Sequence, residues 1–285
     1  MKYQRILKNL LIKLLAPVSD VWFTRIIYFL RQKSLLKLKN PQTFNEKITY
    51  IKLNHKNDLR HQIADRLKVR EYVQNRSPEL KLIKVFWTGK EFTEEVYKRL
   101  PQEFVIKGNH GSRMVKIVNK SETDYEKLFQ SIKGWMDFDY SHKGRERIYQ
   151  MLDRYYLVEE KLPWGEGIPP DFKFFCFNGR MELVQVDFDR FEKHTRNLYD
   201  RSFNKLKERL YLQNGPEIEK PKAFEKAVKI AEDLSPEFSF IRVDLYLIGD
   251  EVYFGELTNF PGNGFEDFKP RSFDYYLGEK VTHLH

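Results

Sequence analysis

The spacing of apolar residues changes character part-way along the 285-residue chain. In the first quarter they recur every three to four positions, the period of helices with one face against a core. Ile6, Leu7, Leu10, Leu11, Leu14 and Leu15 form one such stripe, closed by Pro17. A second apolar helix is expected over residues 21–31. "PQTFNEK" then offers a capping box: the Thr43 hydroxyl accepts from the backbone three residues on and Glu46 reaches back, so a third helix starts at Phe44. The pattern of "HQIADRLKVREYVQ" predicts a fourth.

From Phe104 the period shortens. "FVIK" reads as a strand running into a glycine turn and "VKIV" as the strand leaving it. "DYEKLFQSIKGWMD" is helical in pattern, and "YYLVEEKL" is a strand that ends before Pro163. "KFFCFNGRMELVQV" is a hairpin around Asn178-Gly179, the strongest turn signal in the chain. The helix "PKAFEKAVKIAEDL" precedes a second hairpin, "FIRVDLYLIGDEVYFGEL". Helices between antiparallel hairpins make the fold class α+β.

Composition narrows the partners. A formal net charge of +9 favours an anionic partner: nucleotide phosphates, an acidic glycan, a membrane surface or nucleic acid. Cys176, the single cysteine, excludes an internal disulfide and suits a reducing compartment. Lys13 interrupts the leucine run near the N-terminus, no small-x-small cleavage site follows, and no apolar stretch is long enough to cross a bilayer. These features predict a cytoplasmic protein. The stripe with Lys2, Arg5, Lys8 and Lys13 leaves two options for the first helix, docking on the body of the protein or lying on the inner face of the membrane.

The candidate chemistry is carried by lysines and carboxylates. No Lys-Ser/Thr follows the glycine turn, so it is not a Walker A loop, and no cluster has zinc spacing. Lys107, at the end of a strand and followed by Gly-x-x-Gly-Ser, suits a phosphate cradle; an ordinary surface turn explains it equally. Lys173 stands among aromatic residues in "DFKFFCF". On the second hairpin, a three-residue loop over residues 249–251 would set Asp244 opposite Glu256 and Arg242 opposite Thr258. Like charges about 4.5–5.5 Å apart repel unless a cation lies between them, and oxygen ligands suit Mg²⁺. A two-residue Gly-Asp turn fits local preferences as well, and would put the acids on opposite faces.

In their order along the chain these features resemble the ATP-grasp superfamily, and more closely its TupA-like branch, associated with teichuronopeptide and capsular polysaccharide biosynthesis. The matching strings are "NPQTFNEKITYIKL", "VREYV", "FVIKGNHGS", "DFKFFCFNGR", "VDFDRF", "RNLYD", "FIRVDLY" and "YFGELTNFPGNGFEDF". The resemblance implies two α+β subdomains clamping ATP. The apolar spacing gives a helical N-terminal segment over residues 1–60, and the resemblance, which covers the first forty residues only weakly, implies an ATP-grasp domain over 61–285, with a glycine-lid subdomain at about 101–158 and a metal-site subdomain at 159–285. Lys107 would contact phosphates, with Gly108, Gly111 and Ser112 as the lid. Glu159 would bind the adenine amine, the backbone of Glu160 and Leu162 would complete the purine slot, and Lys173 would reach the terminal phosphates. Asp244, Glu256 and Thr258 would hold Mg²⁺, and Arg242 would stabilise a developing oxyanion.

The chain departs from the family pattern at three places. Arg113 and Met114 stand where a glycine pair is common, and Arg66 replaces an upstream lysine that would contact the nucleotide. Thr258 stands where asparagine is usual, with Asn259 beside it. The resemblance further implies a carboxylate–amine ligase forming an acylphosphate, which needs no side-chain nucleophile. "VDFDRFEKHTRNLYD" gathers Asp187, Asp189, Arg190, His194, Arg196 and Asn197 as an acceptor site for a uronic acid of an anionic glycan or its precursor and an amino acid or other amine. The alternatives are an ATP-grasp kinase acting on a sugar hydroxyl, and a non-catalytic protein that binds polyanions or membrane; no nucleic-acid module is present.

Overall fold

The computed structural model describes residues 14–55, 57–165, 168–189 and 193–284. Most of the leucine stripe at residues 6–15 lies outside them. Helix α1 (Asp20–Gln32) is the predicted second helix. Helix α2 (Phe44–Asn54) begins at the predicted capping box, with Glu46 N donating to Thr43 Oγ1 at 3.1 Å and Thr43 N donating to Glu46 Oε2 at 3.2 Å.

The predicted fourth helix is two. Helix α3 (Asp58–Ala64) and helix α4 (Lys68–Arg76) are separated by Asp65, whose backbone is extended. Its Oδ1 accepts from Leu67 N at 2.9 Å, so the carboxylate starts the next helix instead of continuing the last. The pattern missed this break because the apolar stripe runs on through it. The consequence is local: Arg66 lies in the gap between the two helices, and its side chain reaches Gly108 and Gly111.

Four strands form one antiparallel sheet in the order β1-β4-β2-β3: β1 (Val85–Gly89), β2 (Glu103–Gly108), β3 (Val115–Asn119) and β4 (Tyr156–Glu159). Phe104, Ile106, Val118, Tyr156 and Val158 face a core that includes Leu128 and Ile132 of helix α5 (Tyr125–Ile132). Lys107 and Glu159 therefore lie on the opposite face, by strand parity.

The larger sheet has the order β10-β9-β5-β6-β7 if strands are counted along the chain. These are β5 (Asp171–Phe177), β6 (Arg180–Phe188), β7 (Thr195–Asp200), then, after the short β8 (Arg209–Leu210), β9 (Phe240–Ile248) and β10 (Glu251–Thr258). Asn178 and Gly179 both take positive φ (50° and 83°), as the tight turn between β5 and β6 requires. One face carries Phe172, Phe174, Val184, Val186, Val243 and Leu245 against helix α6 (Phe224–Asp233). Phe175, Phe177, Leu183, Leu198 and Phe240 occupy one end of the other face. There the fully buried Phe44 of α2 packs, its ring 4.8 Å from that of Phe240; burying such a ring contributes about 2–3 kcal/mol. The remainder of that face is polar.

Two expected boundaries change. Helix α2, placed by sequence in a separate segment ending at residue 60, belongs to the core of the larger sheet. The smaller sheet starts at Val85 and not near residue 101, because β1 pairs with β4. Strands β1 and β7 were not foreseen; "VFWTG" and "TRNLYD" are too short and mixed to show a period.

Candidate active site

The hairpin of β9 and β10 combines both turn solutions. Its loop is the two-residue one, with Glu251 paired to Ile248, a register that would leave Asp244 and Glu256 out of step. A bulge at Gly255 adds one residue to β10, and beyond it Glu256 pairs with Asp244 and Thr258 with Arg242. The two acids thus share a face.

Cross-strand registers extend that row. Lys173 lies opposite Asp244 on one side and Gln185 on the other, and Asp171 lies opposite Asp187. Arg242 clamps Asp244 through two 2.7 Å hydrogen bonds, and Lys173 Nζ donates to the same carboxylate at 2.9 Å and also to Asp171. Lys173 was expected to reach toward phosphates; here its ammonium is buried between two carboxylates. Burial would lower the pKa of Arg242, but the Asp244 carboxylate outweighs it and holds the guanidinium well above its usual range. Thr258 Oγ1 accepts from Arg242 and donates to Glu256, each at 3.0 Å. Asn259 points elsewhere, exchanging hydrogen bonds with Arg60. Thr258, not Asn259, therefore shares the face of the acids.

The glycine turn faces this row. Lys107 Nζ bonds Glu159 at 2.5 Å, and Arg70 lies 3.6 Å from the same carboxylate. The Glu159 carboxylate, expected at the adenine amine, points to the lysine side of the sheet and is engaged there. Beyond Gly108, Asn109 is bonded to Asp153 O and to Tyr155 N, and His110 lies within bonding distance of the carbonyls of Trp135 and Phe138. Ser112 bonds the Tyr140 hydroxyl at 2.6 Å. Arg113 has φ 68°, the left-handed conformation that a glycine takes readily. Met114 is buried against Gly108 and Gly111; a Cβ at Gly111 would come within 2.8 Å of its Cε and 2.7 Å of the Tyr140 ring. Arg66 Nη1 donates to the carbonyls of both Gly108 and Gly111, while its Nη2 lies 3.6 Å from Glu256. One guanidinium joins the turn to the acid pair.

At the end of β4, Glu160 N donates to Lys84 O at 2.9 Å. Glu160 and Leu162 line a cavity of about 280 Å³ with Phe86, Pro101, Glu103 and Trp164. In the expected acceptor stretch, Asp187 and Arg196 pair through two hydrogen bonds, and His194 lies 3.5 Å away. Burial would raise the Asp187 pKa, but the bonds from His194 and Arg196 hold it well below the usual carboxylate range. Asn197 is corrected: adjacent residues alternate across a strand, so it faces away from Arg196. It ties down the segment after β8, accepting from Gly215 N and donating to Pro216 O. Asp189 is exposed at a positive φ of 49°, and Arg190 lies outside the described residues.

The family profile described as TupA-like ATPgrasp matches residues 46–282. The chain belongs to that family. Its fold is the α+β ATP-grasp fold. The structure is similar to D-alanine–D-alanine ligase from Bacillus anthracis (TM-score 0.45, 15% identity, covering 77% of this chain and 65% of that one). It is similar to the corresponding ligase from Helicobacter pylori (TM-score 0.45, 15% identity, 78% and 61%). It is also similar to the ATP-grasp ligase PsnB complexed with a minimal precursor (TM-score 0.40, 11% identity, 77% and 59%). The chain spans less than two thirds of the length of these three proteins. No curated protein sequence matches it.

For this ATP-grasp chain the fit to a divalent cation can be tested on its donors. Asp244, Glu256 and Thr258 offer oxygen alone, which suits a hard cation. Glu256 has a side chain 41% exposed, accepts from Thr258 at 3.0 Å and lies 3.6 Å from both Arg66 and Arg242. Asp244 would have to share its carboxylate with Arg242 and Lys173. Among the described residues no three His, Cys, Asp or Glu gather as a metal cluster; the Thr258 hydroxyl, bonded to Glu256 at 3.0 Å, would be the third donor. The residues fit.

Sequence reasoning passed over Asn109, His110 and Tyr140. The first two are legible only in hindsight, as polar residues between the two glycines of the turn. Nothing in the sequence announces that Tyr140 meets Ser112.

Proposed function

We propose that this ATP-grasp protein is an ATP-dependent carboxylate–amine ligase acting in the cytoplasm on a uronic acid of a capsular or other cell-surface polysaccharide, or its precursor. The observation that carries the nucleotide part of this reading is the reach of Arg66 from the carbonyls of Gly108 and Gly111 to Glu256. A triphosphate lying along that line would begin at the hinge cavity beside Glu160 and Leu162 and end over the acid row. Lys107 would exchange Glu159 for phosphate oxygens, and Lys173 would neutralise charge from beneath. Asp244, Glu256 and Thr258 would hold Mg²⁺, which supplies charge neutralisation on the terminal phosphates.

In the reaction a substrate carboxylate oxygen attacks the γ-phosphorus and ADP leaves. The amine nitrogen then attacks the acyl carbon, phosphate departs, and one proton is lost from nitrogen. Arg242 lies where it can hold the oxyanion of that second step. The net charge of +9 supports an anionic glycan as the carboxylate donor, since it raises the encounter rate with polyanions.

The test is an ADP-release screen of amino acids against uronate-containing acceptors, with mass spectrometry of the product. Release that needs both substrates, with an amide product, is expected. A stable phosphate ester would assign a kinase instead. Nucleotide binding without turnover, tolerant of Lys107→Ala, would assign a binding protein.

A further inference from the structure

Helix α1 buries one apolar face and presents another to solvent. Phe23, Thr24 and Tyr28 are buried. The Tyr28 ring meets that of Phe265 edge to face at 6.1 Å, and the Arg145 guanidinium lies over the Phe23 ring at 4.7 Å. At the end of the helix Gln32 Nε2 donates to Glu266 O at 2.9 Å. The same oxygen accepts from Asn45 Nδ2 at 2.8 Å, and Asn45 Oδ1 accepts from Glu266 N at 2.7 Å. The inner side of the helix is thus fixed to the body of the protein.

The outer side carries Trp22, Ile26 and Phe29, spaced i, i+4, i+7. Trp22 is 62% exposed and Phe29 50%, with the half-buried Ile26 between them. Val21 and Leu30 flank that stripe, and both are exposed, as are Leu14 and Leu35 just outside the helix. Single apolar side chains on a surface need no explanation, but a group of them in one short stretch marks a contact site.

The charge around this face has one sign. From Val18 to Asn40 the chain has five cations, Arg25, Arg31, Lys33, Lys37 and Lys39, every one exposed, and a single acid. That acid, Asp20, is taken up by Arg145 and Arg147, at 3.1 and 2.5 Å. Arg25 lies over the Trp22 ring, 5.4 Å from its centre. With Lys37 and Lys39 it lines a cavity of about 330 Å³, shared with Leu36 and Leu38. Among the described residues none of these three cations has an ion pair.

The mixture decides the partner. The centre of a protein interface is depleted in lysine, and a nucleic acid has no use for exposed valine and leucine. An anionic bilayer surface uses both components. Apolar side chains enter the boundary between headgroups and acyl chains, tryptophan sits at headgroup level, and lysine and arginine reach the phosphates. None of the described helices is long and apolar enough to cross a membrane, so the contact is with the surface.

We propose that helix α1 and the turn after it dock on an anionic lipid bilayer, with Trp22 and Phe29 inserted and a lipid phosphate held by Arg25, Lys37 and Lys39. This goes beyond the ligase reading and does not depend on it. The residues used lie after the leucine stripe of residues 6–15, the other candidate for a membrane contact.

The test is flotation of the full chain with phosphatidylcholine vesicles, with and without phosphatidylglycerol, for wild type and three variants. Wild type should float with the phosphatidylglycerol vesicles alone. Trp22→Ser/Phe29→Ser and Lys37→Glu/Lys39→Glu should each bind at least tenfold more weakly. Ile117→Ser, which changes an exposed apolar residue on β3, should bind as wild type does. All three should melt with wild type, because the altered side chains are exposed; if a double variant melts early, Trp22→Ser and Lys37→Glu alone decide, each weakening binding. Failure of wild type to float, or equal flotation with both kinds of vesicle, overturns the proposal. Equal binding by all four proteins also overturns it and moves the contact to the leucine stripe. So does a wild-type dimer that ignores vesicles and that Trp22→Ser/Phe29→Ser splits, which would put a second copy of the chain on this face.

Discussion

Gly255 lies against the main-chain carbonyl of Asp244, so close that a Cβ would come within 2.7 Å of that oxygen. The bulge that aligns Asp244 with Glu256 needs a residue without a side chain. Gly255→Ala should cost about 1–3 kcal/mol of stability and weaken Mg-ATP binding at least tenfold, read by calorimetry and nucleotide titration. An unchanged affinity would show that the acid pair does not depend on the bulge.

Arg66 serves two carbonyls from Nη1 and reaches a carboxylate with Nη2, a span across two nitrogens that the single nitrogen of a lysine lacks. Arg66→Lys is expected to lose about 1–2 kcal/mol, in line with hydrogen bonds from a charged donor. Amide exchange should speed up across residues 108–114 before it does elsewhere. Uniform exchange would remove Arg66 as the holder of the turn.

Arg113 adopts a conformation that disfavours any side chain by about 1–2 kcal/mol. Glycine would relieve this, less its own entropic cost of about 0.5–1 kcal/mol. Arg113→Gly should therefore gain up to about 1 kcal/mol in thermal melting, while Arg113→Ala gains nothing. Equal effects of the two would mean that the guanidinium, not the backbone, matters here.

Glu146 gives a pH signature. Burial pushes its carboxyl up to about 7, the nearby Lys52 ammonium pulling the other way, and burial pushes Lys52 down to about 8. A raised carboxyl pKa favours the fold below the ordinary value near 4.5, and that contribution is lost as pH rises through about 7. A lowered lysine pKa contributes above about 10.5 and is lost as pH falls through about 8. Wild type should lose on the order of 1–3 kcal/mol between pH 5 and 7.5 from Glu146, and Glu146→Gln should flatten that limb. Melting curves across this range check it; an unaltered slope in the variant would place the titration elsewhere.

The parts legible in the sequence were those set by local chemistry. Thr43 with Glu46, Asn178-Gly179 and the apolar hairpins each announce themselves within a few residues. What escaped depended on distant partners. The break at Asp65 is invisible because the apolar stripe continues through it. Strand parity turned Glu159 toward Lys107 and Asn197 away from Arg196, and parity needs a register that only the paired strand supplies. The acid pair fell between: both turn solutions were visible, and only the bulge at Gly255 reconciles them.

The grip of Asn45 and Gln32 on the backbone of Glu266 bears on where a working fragment can begin. Cutting the chain just ahead of the smaller sheet would spare every strand, every lysine and every acid of the nucleotide row. It would also discard both anchors of a loop more than two hundred positions downstream. A fragment that keeps both anchors of that loop reaches back at least to Gln32.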